Sequence, residues 1–159
     1  MSIIIYTDGS AKGNPGKGGY GVVMLSGKYR KEISAGFVLT TNNRMELLAV
    51  IVGLENIKKE HSDVIVYSDS KYVVNAVEKG WLFNWQNKGF KGKKNPDLWD
   101  RFLSVYKRHS VKFVWVKGHN NNVENERCDT LAVSAADSSD LSSDVWYESQ
   151  NKNNSSSLF

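Results

Sequence analysis

Four acidic residues, Asp8, Glu46, Asp69 and Asp129, stand where folding alone gives little reason for them. Asp8 closes the run that starts at Ile3, and a carboxylate buried unpaired at such a strand end is costly. Asp69 follows Val64 to Ser68 in the same way. If those strands are neighbours at the centre of a sheet, both acids meet at one edge, where open α/β sheets usually hold their sites. Glu46 has two readings. With Asn43 it has the spacing of a capping box at a helix start, and it could equally join the other acids. Asp129 falls in the first half of the last expected helix, where a carboxylate also complements the helix dipole. Gathered together, four carboxylates would raise one another's pKa unless a cation neutralised them. An all-oxygen ligand set favours Mg²⁺, with Mn²⁺ able to substitute, and leaves room for water and phosphate. One or two such ions can activate water and stabilise the leaving oxygen of a phosphodiester.

The elements that must position these acids follow from the residue pattern. Ile3 to Asp8 reads as a strand, closed by Gly9 and Ser10 and a turn-rich stretch from Lys12 to Gly16. Gly19 to Leu25 and Lys31 to Val38 read as two further strands joined by a hairpin turn at Ser26, Gly27 and Lys28. From Asn43 the period becomes helical, with Leu47, Leu48, Ile51, Val52 and Leu54 on one broad face, and the helix is expected to run to His61. A strand at Val64 to Ser68, a helix at Ser70 to Glu78, a helix opened by Pro96, a strand at Val111 to Val116 and a helix at Glu124 to Ala136 complete the order. This β-β-β-α-β-α-α-β-α order predicts an α/β fold with a mixed five-stranded sheet, an antiparallel meander followed by parallel strands, flanked by helices. Residues 1–136 form the expected domain. Residues 137–159 contain eight serines and few apolar side chains, which predicts a frayed tail in which Trp146 and Tyr147 could still dock.

The chain is 159 residues long, of a size for one domain, and carries a formal net charge of +4. Four acids against Lys152 in the last 23 residues leave twenty basic and thirteen acidic side chains in the rest, a bias that suits a polyanionic partner. Cys128 is the single cysteine, so no internal disulfide can form, and three histidines with it fall short of a Cys/His zinc framework. The start has no basic region and meets Asp8 too early for a secretory segment, and no apolar run approaches bilayer-spanning length. A soluble cytoplasmic monomer is expected. Residues 79–94 hold five lysines, no acid and four aromatics. Lysines there could hold phosphates while Trp81, Trp85 and Phe90 stack on bases or sugars; equally, the aromatics could pack on the domain and the lysines be solvated.

Several blocks then carry a family resemblance. Tyr6-Thr7-Asp8-Gly9-Ser10 with Gly13-Asn14-Pro15-Gly16, and Thr40-Thr41-Asn42-Asn43-Arg44-Met45-Glu46, resemble the first signatures of type 1 ribonuclease H. Ser68-Asp69-Ser70 with Tyr72 and Val73, Asn95 to Trp99, Trp115-Val116-Lys117-Gly118-His119, and Glu124 to Asp129 resemble the rest, in order, from residue 3 to about 136. The resemblance implies the ribonuclease H-like fold. It also implies endonucleolytic hydrolysis of the RNA strand of an RNA–DNA hybrid, leaving 5′-phosphate and 3′-hydroxyl ends. Asp8, Glu46, Asp69 and Asp129 would be the Mg²⁺ ligands, and His119 would assist proton transfer or product release, a task suited to a side chain that titrates near neutrality.

For the substrate, the resemblance implies hybrid contacts from Asn14, Asn42 and Asn43, a DNA phosphate contact from Thr41, and a basic protrusion carrying Lys88, Lys91, Lys93 and Lys94 that grips the DNA strand. The asparagines suit the 2′-hydroxyls of a shallow minor groove, although turns and caps commonly use them too. Lys71 departs from the family, where glutamine is common, and implies a phosphate contact in place of one to a base edge. The protrusion is shorter than in longer members, and Asn120 to Asn122 replace glycine and proline after His119. The alternatives are another nuclease of the same fold acting on DNA, which carboxylates alone do not exclude, and a catalytically silent hybrid-binding module, which the presence of all four acids disfavours.

Overall fold

A computed structural model describes residues 2–118 and 122–156. The opening meander is β1 (Ile3–Ala11), β2 (Gly16–Ser26) and β3 (Tyr29–Thr40), followed by α1 (Asn42–Glu55) and β4 (Asp63–Ser68). Then come α2 (Lys71–Glu78), α3 (Trp81–Asn87), α4 (Pro96–Tyr106), β5 (Ser110–Trp115), α5 (Val123–Asp137), β6 (Leu141–Ser142) and α6 (Val145–Ser156). The sheet order is β5-β4-β1-β2-β3-β6. β1, β2 and β3 pair antiparallel, while β4 on β1 and β5 on β4 are parallel, as the sequence of elements predicts.

The sheet has six strands where five were expected. The addition is the two-residue β6, which pairs parallel with β3 at Gly36 and Phe37. It belongs to the segment whose composition suggested a frayed tail, and α6 follows it. The reason is a buried ion-pair centre. Arg44, only 1% exposed, binds Asp144 at 2.7 and 2.9 Å and Asp97 at 2.9 and 2.7 Å. Thr40 Oγ1 donates to the same Asp144 carboxylate, and the Arg44 guanidinium lies over the Trp146 and Tyr147 rings. A serine- and asparagine-rich composition carries no trace of a partner more than ninety residues away.

Two further differences concern helices. α1 stops at Glu55, short of His61, because Asn56 ends it: its backbone N–H donates to Val52 and Gly53, and its side chain donates to the Val52 carbonyl at 2.8 Å. Ile57 continues the apolar period and is buried, but from a loop. α3 was not expected; Gly80 in the left-handed conformation begins it without any side-chain cap, so the usual start signal is missing.

The two long helices cover opposite faces of the sheet. Side chains alternate along a strand, and Gly9 and Gly18 face α1 whereas Gly19 and Gly21 face α5. Ile5, Val22, Leu47, Ile51 and Leu54 form the buried layer under α1, which Trp99 and Phe102 of α4 extend. Cys128 is fully buried in α5, and burial pushes its thiol pKa up, consistent with a packing role.

Candidate active site

β1 and β4 lie side by side at the sheet centre, with Thr7 opposite Ser68 as the last paired residues. Asp8 follows Thr7 within β1, and Asp69 is the first residue beyond β4. β1 itself does not end at Asp8, as the sequence suggested, but continues to Ala11 along β2. Divergence from β4 therefore begins at Asp8.

Glu46 is delivered to the same place by α1. A Cβ on Gly9 would overlap the backbone of Met45 and Glu46, so the missing side chain lets α1 cross β1 directly beside Asp8. The Gly9 N–H donates to Asp8 Oδ1 at 2.9 Å and also to Glu46 Oε1. Glu46 is thus not the closing residue of a capping box. The N-cap is Thr41, whose Oγ1 accepts from the Arg44 N–H at 3.2 Å, and Asn43 is inside the helix.

Asp8, Glu46 and Asp69 each offer a carboxylate oxygen within 4.8 Å of the others, an arrangement able to hold a divalent cation. Burial raises the pKa of Asp8, and the Asp69 and Asp129 carboxylates add to the shift. Glu46 is raised as well, by burial first and then by Asp8 and Asp69. Buried carboxylates crowded against one another in this way are the chemical signature of a cation site.

Asp129 does not join the 4.8 Å cluster, but its charge reaches Asp8 from α5, where it is half-buried. Gly21 explains its position. It is the register partner of Asp8, and a Cβ there would overlap the carbonyl of Cys128, so the α5 backbone rests on β2 one residue from Asp129. His119 lies outside the described residues. Its neighbour Gly118 comes close to the cluster, since a Cβ at that residue would stand 3.1 Å from Asp69 Oδ2.

The expected substrate residues fall into three places. Asn14 and Asn42 brace the entrance to α1: Asn42 Oδ1 accepts from the Ala11 N–H at 2.5 Å, and Asn14 Oδ1 accepts from the Asn42 N–H at 3.0 Å. Asn14, Thr41 and exposed Asn43 line a groove of about 550 Å³ together with Lys93 and Lys94. Lys71 is exposed beside Asp69, its ammonium 5.0 Å from the Trp115 ring centre. Trp115 Nε1 in turn donates to the Asp69 carbonyl at 3.2 Å.

In the basic segment the aromatics divide. Trp85 and Phe90 are half-buried and pack on the core, Trp85 edge-on to Trp99 at 6.0 Å. Trp81 remains 43% exposed and has the Lys79 ammonium over its ring. Lys88, Lys91, Lys93 and Lys94 are exposed and take part in no salt bridge among the described residues. Sequence reasoning passed over Arg44, Asp97, Asp144 and Asn95. Asn95 adopts a left-handed conformation before Pro96 and is bonded to Arg44 and Tyr72, and an asparagine preceding proline was the available signal. Among the described residues no helix is long and apolar enough to cross a membrane.

Comparison with known proteins agrees with this geometry. The family model for RNase H matches residues 1–137. The chain is 59% identical over 148 residues to ribonuclease H of Desulforamulus reducens, covering 90% of this chain and 92% of that one. It is 56% identical to ribonuclease H of Syntrophus aciditrophicus, over 91% and 86% of the two chains. Among solved structures it resembles LC9-RNase H1, described as a type 1 RNase H with the type 2 active-site motif, with a TM-score of 0.77 and 30% identity over 85% of this chain and 72% of that one. It also resembles LC11-RNase H1 solved in complex with an RNA/DNA hybrid, with a TM-score of 0.65 and 31% identity over 85% and 96%. Such similarity, sustained across the sheet, the acidic cluster and α5, means that the chain belongs to the RNase H family.

Proposed function

We propose that this RNase H binds RNA–DNA hybrid and hydrolyses its RNA strand with Mg²⁺, leaving 5′-phosphate and 3′-hydroxyl ends. The observation that supports it most is the cluster of Asp8, Glu46 and Asp69 within 4.8 Å, at the edge of a sheet in an RNase H chain. These residues, with Asp129 completing the set from α5, would hold one or two ions. When bound, Mg²⁺ supplies positive charge that stabilises an ionised water and the leaving 3′-oxygen. Residues 1–136 serve as the catalytic domain, the C-terminal segment docks on it where Asp144, Trp146 and Tyr147 meet Arg44, and the enzyme acts as a cytoplasmic monomer.

Around the cluster, each group has a role its position supports. Asn14, Asn42 and Asn43 present neutral amides beside α1, suited to sugar hydroxyls, and Thr41 lines the same groove. Lys71, Lys88, Lys91, Lys93 and Lys94 meet phosphates, and exposed Trp81 offers a stacking face. Trp85 and Phe90 support that segment from the core side. Gly118 brings the chain past Asp69 just before His119, which moves a proton or aids product departure. The test is end-group analysis of the fragments from a labelled hybrid with and without Mg²⁺. Metal-dependent fragments with 5′-phosphate and 3′-hydroxyl ends are expected, and 3′-phosphate or cyclic ends would overturn the mechanism.

A further inference from the structure

We propose that α6 is part of the substrate groove, its Tyr147, Gln150 and Asn151 forming one wall of a channel that receives the sugar–phosphate backbone of a bound nucleic-acid strand. This rests on the hybrid-cleaving reading above and extends it to a segment that reading does not use.

The groove that holds Asn14, Thr41 and Asn43 on one side and Lys93, Lys94 and Asn95 on another is closed by Trp146, Tyr147, Gln150 and Asn151. No acid lines it. Two ammonium groups, several side-chain amides and two aromatic faces are the donor set that phosphates, sugars and bases use. The contrast with the rest of the C-terminal segment is sharp. Its four acids lie elsewhere, Asp144 in the pair with Arg44, Asp137 in an ion pair with Lys12, Asp140 beside β3 and Glu148 in a separate hollow with Ser143 and Val145, so that none of them lines the groove.

The wall is also firmly placed. Asp144 immediately precedes α6 and is held by two bonds from Arg44 and one from Thr40, and the Arg44 guanidinium carries the Trp146 ring at 5.0 Å. Arg44 and Glu46 are two residues apart in α1. A single helix therefore fixes both the groove wall and one carboxylate of the acidic cluster, so a strand in the groove would sit in a set position relative to the reacting phosphate. Gln150 is exposed, and neither its side chain nor that of Asn151 makes a hydrogen bond with another described residue. Their amides are free for a ligand.

The test compares wild type, Gln150→Ala/Asn151→Ala and Gln150→Glu/Asn151→Asp on an RNA–DNA hybrid, with steady-state kinetics and thermal unfolding. Loss of the two amide contacts should raise KM about 3- to 10-fold with kcat unchanged. The acidic pair, facing phosphates, should raise KM further with the same kcat and the same melting temperature. A wild-type KM in the acidic variant overturns the proposal while leaving the activity assignment standing. Failure of wild type to cut hybrid would instead remove the reading on which it rests.

Discussion

Asp8 on β1 and Asp69 just beyond β4 occupy equivalent positions along two parallel strands, each one residue past the last register pair, Thr7 with Ser68. The strands begin to separate at that step, so the two carboxylates stand side by side at the opening of the sheet. Asp8→Asn should abolish Mg²⁺-dependent cleavage while preserving the fold, because the side chain keeps its size and loses only its charge. Circular dichroism and a cleavage assay check this; turnover near wild type would show that Asp8 is not needed to hold metal.

The same crowding sets a pH dependence of stability. Burial raises the folded pKa values of Asp8 and Glu46, and the Asp69 carboxylate adds to both, whereas in the unfolded chain such groups titrate near about 4. As pH rises above the unfolded values, the unfolded chain releases protons that the folded chain retains, so the pair's contribution to stability declines until the folded groups ionise. Glu46→Gln removes the Glu46 share of that decline. The metal-free variant should gain melting temperature over wild type at pH 8 and gain less at pH 5, and Mg²⁺ should narrow the pH 8 difference. An equal gain at both pH values would contradict the assignment.

Gly21 allows the backbone of α5 to lie on β2 opposite Asp8. Gly21→Ala forces a Cβ into the Cys128 carbonyl and the Leu131 side chain. Overpacking of this kind costs about 1–3 kcal/mol. It should also lower kcat, since α5 carries Asp129. Urea unfolding and turnover measured together test the coupling, and a stability loss with unchanged kcat would mean that Asp129 tolerates displacement.

Arg44 is nearly inaccessible and neutralises two carboxylates, Asp97 and Asp144. Arg44→Ala leaves both without their partner, and breaking a buried pair this way costs about 3–5 kcal/mol. Because the pair also docks α6, proteolysis of the variant should begin in the C-terminal segment. Unchanged urea stability would show that the pair contributes little.

Much of this architecture was legible in the residues. The switch from alternation to helical period near Asn43 placed α1, and acids closing apolar runs marked Asp8 and Asp69. What stayed hidden depended on contacts between distant parts of the chain. Arg44 reads locally as an ordinary charged helix residue, and only the fold shows that it reaches Asp144 and orders α6. Glu46 read equally well as a cap, since local spacing cannot register that Gly9 opens a path for α1. The glycines at 9, 19 and 21 were the overlooked signal, because glycine inside a strand often marks a close approach of backbone.

The lysines at 88, 91, 93 and 94 are exposed and make no salt bridge among the described residues, the Lys93 ammonium lying over the Trp85 ring. Replacing all four with glutamine should raise KM for hybrid and flatten its salt dependence, each lost phosphate contact reducing the log–log slope by nearly one, while turnover at saturation survives. Steady-state kinetics across a range of salt concentrations measure both, and a wild-type slope would show the segment to be a solvated face.

The most direct test of the central claim is parallel digestion of end-labelled RNA–DNA hybrid, RNA duplex and DNA duplex, with and without EDTA. Cleavage confined to the RNA strand of the hybrid and abolished by EDTA is the predicted result; an intact hybrid, cleavage of the DNA duplex, or cutting that persists in EDTA would contradict it.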